Sequence, residues 1–147
     1  MFLIRKLEKQ DLDAVCRMEE ETFSMPWSRD DFMEMIEADY AYYYVAIDEK
    51  NGPEPVACCG IRIIAGEGQI TNVVVAQRQR KRGIAYLLLD RAIAETQQAG
   101  AEVFTLEVRV SNQAAIHLYE KLGFKSEGIR PDFYEKPEED ALIMWRR

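Results

Sequence analysis

The sequence predicts an α/β protein with a mixed, mostly antiparallel twisted sheet flanked by helices on both faces. Short segments rich in β-branched and aromatic residues alternate with longer amphipathic segments. Three strand-like segments follow one another mid-chain, which is typical of an antiparallel meander, and a strand-helix-strand unit follows them. The predicted order is β-α-α-β-β-β-α-β-α-β-β, and we expect the 147 residues to form one domain, 1–147.

The strands are predicted where β-branched and aromatic residues cluster between turn signals. Asn51-Gly52 marks a tight turn, and Gly66 and Gly68 are predicted to flank the next one. The segment 130–140 is charged, carries two prolines and is predicted to be a loop. The predicted strands cover residues 2–7, 40–47, 56–64, 70–75, 103–110, 124–129 and 141–145.

The helices are predicted from apolar residues at helical spacing and from residues that favour helix ends. Ser28 and Asp31 have the spacing of a capping box at the start of the second helix. Gly83 precedes the longest helical segment, and Asn112 is a suitable N-cap for the last one. The helices are predicted at residues 11–23, from residue 28 onward, at 84–98 and at 112–122.

The composition limits the class of protein. Apolar residues make up 48% and charged residues 31%, a balance typical of a globular domain. The net charge of −7 argues against nucleic-acid binding, and no apolar run reaches the roughly 18 residues of a membrane helix. Cys16, Cys58 and Cys59 make a poor disulfide framework, and one histidine cannot build a Cys/His metal site. We therefore expect a reduced, cytoplasmic protein without a metal, a nucleic-acid partner or a membrane partner; nothing indicates an oligomeric state.

Positive charge is concentrated just before the longest predicted helix. Arg78, Arg80, Lys81 and Arg82 fall within five positions, and Gly83 follows them. The first N–H groups of a helix lack internal acceptors, and a glycine lets the backbone approach a ligand closely. The segment is therefore suited to phosphate, although a solvated basic turn fits the charge run equally well.

Several motifs resemble one enzyme family. Residues 80–85, RKRGIA, match the pattern [QR]-x-x-G-x-[GA], the pyrophosphate loop of the GCN5-related N-acetyltransferases (the GNAT family). Residues 106–124, LEVRVSNQAAIHLYEKLGF, resemble the second half of that family. Residues 25–28 and 139–145 resemble its RimI-like branch, the ribosomal-protein alanine N-acetyltransferases. The resemblance covers nearly the full chain and implies the GNAT fold and transfer of acetyl from acetyl-CoA to an amine.

The resemblance implies two catalytic residues. Glu107 matches the general base of the RimI-like branch, and Tyr119 matches the tyrosine that protonates the CoA sulfur. Proton transfer is needed at both points, because an amine must be neutral to attack and a thiolate leaves more easily when protonated. On pattern alone, Glu107 could instead pair with Arg109 two residues along its strand, and Tyr119 could be a core tyrosine.

The resemblance also implies how acetyl-CoA is bound. The pantetheine arm would bind the backbone of the strand before the loop, where Val73 or Val75 would donate an N–H to the oxyanion. Asn112 matches a cofactor contact of the branch, and it is equally well explained as a helix N-cap. The implied cofactor-binding residues are Val73, Val74, Val75, Lys81, Arg82, Gly83, Ile84, Ala85, Tyr86 and Asn112.

The acceptor implied by the branch is the N-terminal alanine of protein eighteen of the small ribosomal subunit. Its basic N-terminus would suit an acidic enzyme. Trp27, Phe133 and Tyr134 could line the peptide groove, although Trp27 is as easily a packing residue, and Phe133 stands where the branch often has tyrosine. Two alternatives are an acetyltransferase for another N-terminus, a lysine or a small amine, and a non-catalytic acyl-CoA-binding module.

Overall fold

The computed structural model describes residues 2–147, and a seven-stranded sheet runs through it. The strand order is β1-β2-β3-β4-β5-β7-β6, and every neighbouring pair is antiparallel except β4 and β5. The predicted mixed, mostly antiparallel sheet is confirmed. The strands are β1 Phe2–Lys6, β2 Ala41–Asp48, β3 Pro55–Ile64, β4 Glu67–Val75, β5 Val103–Arg109, β6 Lys125–Glu135 and β7 Glu138–Arg146.

Within residues 2–147, four α-helices cover the two faces of the sheet: α1 Leu12–Thr22, α2 Arg29–Glu37, α3 Ile84–Gln98 and α4 Gln113–Lys121. The apolar residues of α1 and α2 pack in one core cluster, and those of α3 and α4 pack in another. Adjacent Cys58 and Cys59 of β3 belong to different clusters because successive strand side chains point to opposite faces. The prediction of helices on both faces is therefore confirmed. No helix of residues 2–147 is long and apolar enough to span a membrane.

Local capping explains where the helices begin. Ser28 Oγ accepts a hydrogen bond from Asp31 N at 3.2 Å, and Asp31 Oδ2 accepts one from Ser28 N at 2.8 Å. These two bonds form the predicted capping box. Gly83 adopts φ +76° at the start of α3, a left-handed conformation that favours glycine. These interactions join residues close in sequence, which is why the sequence predicts them well.

The predicted turn at Gly66 and Gly68 is wrong at its second glycine. The turn lies at Ala65 and Gly66, and β4 already begins at Glu67. Gly68 pairs with Phe104 of β5, and a Cβ atom at Gly68 would lie 2.5 Å from Phe104 Cδ1. The glycine is required for close strand packing, so the predicted strand at 70–75 starts too late.

The predicted loop at residues 130–140 is also wrong. β6 continues to Glu135 and β7 starts at Glu138, so most of this segment forms a hairpin. The register shifts between Arg130 and Tyr134, which leaves residues 131–133 outside the regular ladder. Pro131 is tolerated there because β6 is an edge strand and the irregularity removes the need for a ladder N–H.

The parallel pair β4–β5 is joined over three residue pairs, Glu67–Val103, Gly68–Phe104 and Gln69–Thr105. Beyond Gln69 the two strands have no ladder pairs. In the ladder with β3, Gly60 pairs with Asn72 and Ile61 with Ile70, so Thr71 is an extra residue in β4. Such a bulge bends a strand and increases its twist. The resulting opening between β4 and β5 positions the candidate site.

Candidate active site

A cavity of about 760 Å³ lies at the opening between β4 and β5. Its walls come from the end of α1 and the segment that follows, from β4 and β5, from the start of α4, and from the β6–β7 hairpin. A second cavity of about 680 Å³ adjoins it and shares part of its lining. The residues that line both cavities are Trp27, Ile70, Thr71, Glu107, Phe133 and Tyr134.

Glu107 of β5 lies at the junction of the two cavities, with its side chain 30% exposed. Among the described residues its one ion-pair contact is Arg130, whose Nη1 is 4.0 Å from Glu107 Oε1. Arg109 instead pairs with Glu139 at 3.2 Å, so the alternative pairing of Glu107 with Arg109 is wrong. A carboxylate that is solvent-accessible and only distantly paired is suited to accept a proton from a ligand.

Tyr119 of α4 lines the larger cavity while belonging to the core cluster of that face. The residue is 7% exposed, and its ring packs edge-on against Phe124 with centroids 6.0 Å apart. Burial raises the pKa of the Tyr119 phenol well above its ordinary value. The hydroxyl therefore stays protonated, so a core position and a role as proton donor are compatible at this residue.

The edge of β4 that faces the opening carries backbone groups without ladder partners beyond Gln69. Val73, Val74 and Val75 pair with β3 on their other side, and Val73 lines the cavity. A ligand with amide groups could bind this edge as an added strand does. Val74 is buried against α1 and α2, so its backbone, not its side chain, is the part that a ligand could reach.

The cations before α3 do not act as one group. Arg80 donates to the Val75 carbonyl oxygen at 3.4 Å and to Thr22 Oγ1 at 3.0 Å. Arg82 Nη1 lies 3.0 Å from the buried Asp48 carboxylate, and its guanidinium lies over the Phe2 ring, 5.0 Å from the centroid. This pairing lowers the pKa of the Asp48 carboxyl.

The alternative interpretation of the cation-rich segment as a purely solvated basic turn is therefore wrong. Arg82 fixes the loop while its side chain remains 44% exposed. Lys81 (φ +66°) and Gly83 (φ +76°) both adopt left-handed conformations directly before α3. The first N–H groups of α3, on Ile84, Ala85 and the exposed Tyr86, lack acceptors within the helix. This helix start remains suited to an anion.

The β6–β7 hairpin is held over the cavity by Arg109. Its guanidinium lies over the Tyr134 ring, 4.2 Å from the centroid, and donates to the Lys136 carbonyl oxygen at 3.2 Å. Ser24, in the segment after α1, also donates to the Lys136 carbonyl oxygen. Glu139 completes the anchor through its ion pair with Arg109. The hairpin and the α1–α2 segment therefore meet across the cavity.

Aromatic residues form the outer part of the cavity. The Phe133 and Tyr134 rings are T-shaped with centroids 5.0 Å apart, and Phe133 is exposed. Trp27 packs against Phe32 and Tyr43 with centroid separations of 5.3 and 6.0 Å, and it also lines both cavities. Both interpretations of Trp27, packing residue and groove residue, are consistent with this position.

Asn112 lines the same cavity and caps α4. Its Oδ1 accepts a hydrogen bond from Ala115 N at 3.2 Å, which is the predicted N-cap. The cap uses the side-chain oxygen and leaves the amide N–H groups available to a ligand. His117 is exposed, and among residues 2–147 no cluster of His, Cys, Asp and Glu is suited to a metal ion.

Sequence reasoning missed Glu19. This residue of α1 is only 2% exposed and lines the larger cavity. Its Oε1 accepts a hydrogen bond from Trp27 N at 3.0 Å. A signal was present, because Glu19 lies seven positions after Leu12 and four after Val15, on the apolar stripe of α1. A carboxylate on such a stripe is rare unless it has a partner or a ligand.

A mixed sheet that opens at its parallel pair, with a helix start suited to an anion beside the opening, is typical of CoA-dependent acyltransferases. The acetyltransferase (GNAT) family model matches residues 12–124, and the chain belongs to this family. The predicted family and fold are confirmed, and the protein is an acyltransferase.

Relatives and a solved structure cover nearly the whole chain. A Bacillus subtilis (strain 168) protein is 38% identical over 97% of this chain and 93% of its own, and is named provisionally a [ribosomal protein bS18]-alanine N-acetyltransferase. An Escherichia coli (strain K12) protein carries the same name without the provisional label. It is 33% identical over 98% of this chain and 96% of its own. The crystal structure of the E. coli ribosomal-protein-S18-alanine N-acetyltransferase matches with a TM-score of 0.88 at 30% identity, covering 99% and 93% of the two chains.

Proposed function

We propose that this protein is an acetyl-CoA-dependent Nα-acetyltransferase that acetylates the N-terminal alanine of ribosomal protein bS18. The names of the relatives at 33% and 38% identity support the acceptor. The reaction type rests on one observation, that Glu107 and Tyr119 line the same cavity at the opening between β4 and β5. The arrangement supports the proposal because amine acylation by a thioester requires a proton acceptor and a proton donor around one space.

The proposed reaction needs three proton transfers and one displacement. Glu107, directly or through water, takes a proton from the acceptor ammonium, and the neutral amine attacks the thioester carbon. The backbone N–H of Val73 or Val75 donates to the developing oxyanion. The C–S bond then breaks and Tyr119 gives its proton to the departing CoA thiolate. The nitrogen that has been acylated loses its extra proton, which returns to the Tyr119 phenolate directly or through water.

The co-substrate acetyl-CoA fits the features around the cavity. The unpaired edge of β4 at Val73, Val74 and Val75 would bind the amides of the pantetheine arm. The pyrophosphate would bind the helix start formed by Lys81, Gly83, Ile84, Ala85 and Tyr86, where N–H groups and positive charge coincide. Arg82 would act mainly through the loop it holds, and the Asn112 amide would reach the cofactor from α4.

The acceptor N-terminus would enter between the α1–α2 segment and the β6–β7 hairpin. Trp27, Phe133 and Tyr134 line this entrance and offer aromatic surface to a peptide. The net charge of −7 would attract a basic N-terminus. Phe133 lacks a hydroxyl, so polar contacts at this point would come from Tyr134.

Mass spectrometry of acetyl-CoA reactions with four peptides tests the function. One peptide begins Ala-Arg, and the controls of the same sequence are N-terminally blocked, carry only an internal lysine, or begin with Met. We expect acetylation confined to the free Ala-Arg terminus. Acetylation of lysine or of every terminus would indicate a different acceptor class, and no acetylation would favour an acyl-CoA-binding module.

The Asp48–Arg82 pair predicts a separate effect on cofactor binding. Asp48→Asn should raise KM for acetyl-CoA about fivefold with kcat nearly unchanged, because the loop before α3 is less preorganised without this ion pair. Steady-state kinetics measures this. Asn51→Ala is the control, since Asn51 Nδ2 donates to the same carboxylate at 2.8 Å without contacting Arg82. An unchanged KM in Asp48→Asn would show that the pair does not support the loop.

A further inference from the structure

Glu19 is a buried carboxylate that is only partly satisfied. Oε1 accepts the Trp27 N–H, but Oε2 is buried and has no hydrogen-bond partner among the described residues. Salt bridges within the described part of the chain do not include Glu19 either. A buried carboxylate oxygen left without a donor is costly, so the position is explained best by a ligand that supplies one.

Among the described residues, the surroundings of Glu19 supply hydrogen-bonding groups but no cation. Burial raises the pKa of the Glu19 carboxyl, and the Trp27 N–H and the Asn72 side chain oppose that rise. Tyr43 donates its hydroxyl proton to Asn72 Oδ1 at 2.8 Å, so the Asn72 amide is held by the β2–β4 side of the core. Thr71, the extra residue of β4, is also bonded to Tyr43 at 2.5 Å. The Glu19 carboxylate therefore has polar side chains of β4 near it, held in place by Tyr43, and no ion-pair partner among residues 2–147.

The cavity that Glu19 lines is the one that contains Glu107 and Tyr119. A ligand that complements a carboxylate there must carry N–H donors and positive charge. In the proposed reaction, which this inference presupposes, the acceptor brings such a group to this cavity, its α-ammonium. The ammonium has three N–H donors. It can give one proton to Glu107 and still donate a hydrogen bond to Glu19.

We propose that Glu19 is an acceptor-binding residue whose carboxylate receives the α-ammonium group of the acceptor peptide. The bond continues after Glu107 has taken a proton, since a neutral amine still has two N–H groups. One N–H donated to Glu19 directs the nitrogen lone pair away from that carboxylate. Glu19 thereby orients the nucleophile, a role distinct from that of the base.

Glu19→Gln isolates this role. The substitution keeps a carbonyl oxygen that can accept the Trp27 N–H, and it removes the negative charge. Binding is measured by calorimetry in the presence of CoA with two peptides, one that begins with alanine and one with propionyl in its place, which lacks the amine. Glu20→Gln is the matched control, because the same change is made at the next, exposed position of α1.

We expect the wild type and Glu20→Gln to bind the amine peptide about tenfold more tightly than the propionyl peptide, and Glu19→Gln to lose that preference. The Kd for acetyl-CoA should be the same in all three proteins. A preference retained in Glu19→Gln, or absent from the wild type, would overturn the proposal.

A second variant keeps the test decisive if Glu19→Gln does not fold. In Glu107→Gln, which changes a half-buried position at the cavity junction, the amine preference should remain at several-fold, because Glu19 still receives the ammonium. Its disappearance would assign the ammonium to Glu107 and overturn the inference.

The two proposals fail differently. If the wild type acetylates the Ala-Arg peptide while the preference survives in Glu19→Gln, only the inference is lost; a wild type that acetylates no free N-terminus removes both.

Discussion

Glu107→Gln is expected to lower kcat for an Ala-Arg peptide by about 100- to 10,000-fold, the usual contribution of a general base. Glutamine has nearly the same shape but cannot take the proton from the acceptor ammonium. KM for acetyl-CoA should change little, because the proposed cofactor contacts come from β4, α3 and α4. Mass spectrometry of quenched reactions and an assay of the released CoA thiol measure kcat and KM for acetyl-CoA.

The pH dependence of this variant provides a second test. Without a base, the reaction should depend on acceptor that is already neutral, and an α-amino group titrates at about 8. The residual rate of Glu107→Gln should therefore rise with pH through that range more steeply than the wild-type rate does. Glu102→Gln, at an exposed position just before β5, should behave as the wild type. A loss of less than about threefold in Glu107→Gln would remove Glu107 from the mechanism.

Tyr119→Phe is expected to lower kcat by about 100-fold, because the CoA thiolate then leaves without a proton donor. The ring and its contact with Phe124 are retained, so the thermal unfolding temperature should stay close to that of the wild type. Steady-state kinetics and a thermal melt check the two expectations. A large fall in stability with unchanged kcat would instead make Tyr119 a core residue only.

The raised pKa of Tyr119 sets the sign of its pH effect. Burial disfavours the phenolate, so the protonated donor persists above the ordinary tyrosine pKa of about 10. The wild-type kcat should therefore show no alkaline decline from this group between about pH 8 and about pH 10. An alkaline decline that disappears in Tyr119→Phe would show that the phenol ionises in that range.

Much of the fold could be predicted because its signals are local. Ser28, Gly83 and Asn112 each act on N–H groups within a few residues, and the helices begin where these residues predict. Gly68 is wrongly predicted to flank a turn. The residue that requires a glycine at this position is Phe104, which lies on a strand far along the chain. The segment 130–140 is wrongly predicted as a loop, because charge and proline indicate a loop unless the edge position of β6 is known.

The candidate site likewise combines features with local sequence signals and features that depend on residues distant in the chain. The motifs identified Glu107 and Tyr119, but their common cavity depends on the Thr71 bulge and on the short pairing of β4 with β5. The cation cluster was treated as one phosphate site, whereas Asp48 and Thr22, remote in sequence, hold Arg82 and Arg80. The position of Glu19 on the apolar stripe of α1 is visible in the sequence, but the cavity that its carboxylate lines is not.

By itself the sequence determined the α/β class, the order of the elements, the family and the residues suited to acid–base chemistry, because periodicity, caps and motifs are properties of neighbouring residues. The tertiary structure alone decided where β4 and β5 separate, which cations hold the loop before α3, and that a carboxylate of α1 lines the same cavity as Glu107 and Tyr119. These features arise from contacts between residues distant in the chain, and such contacts depend on how the sheet bends and which surfaces meet across it.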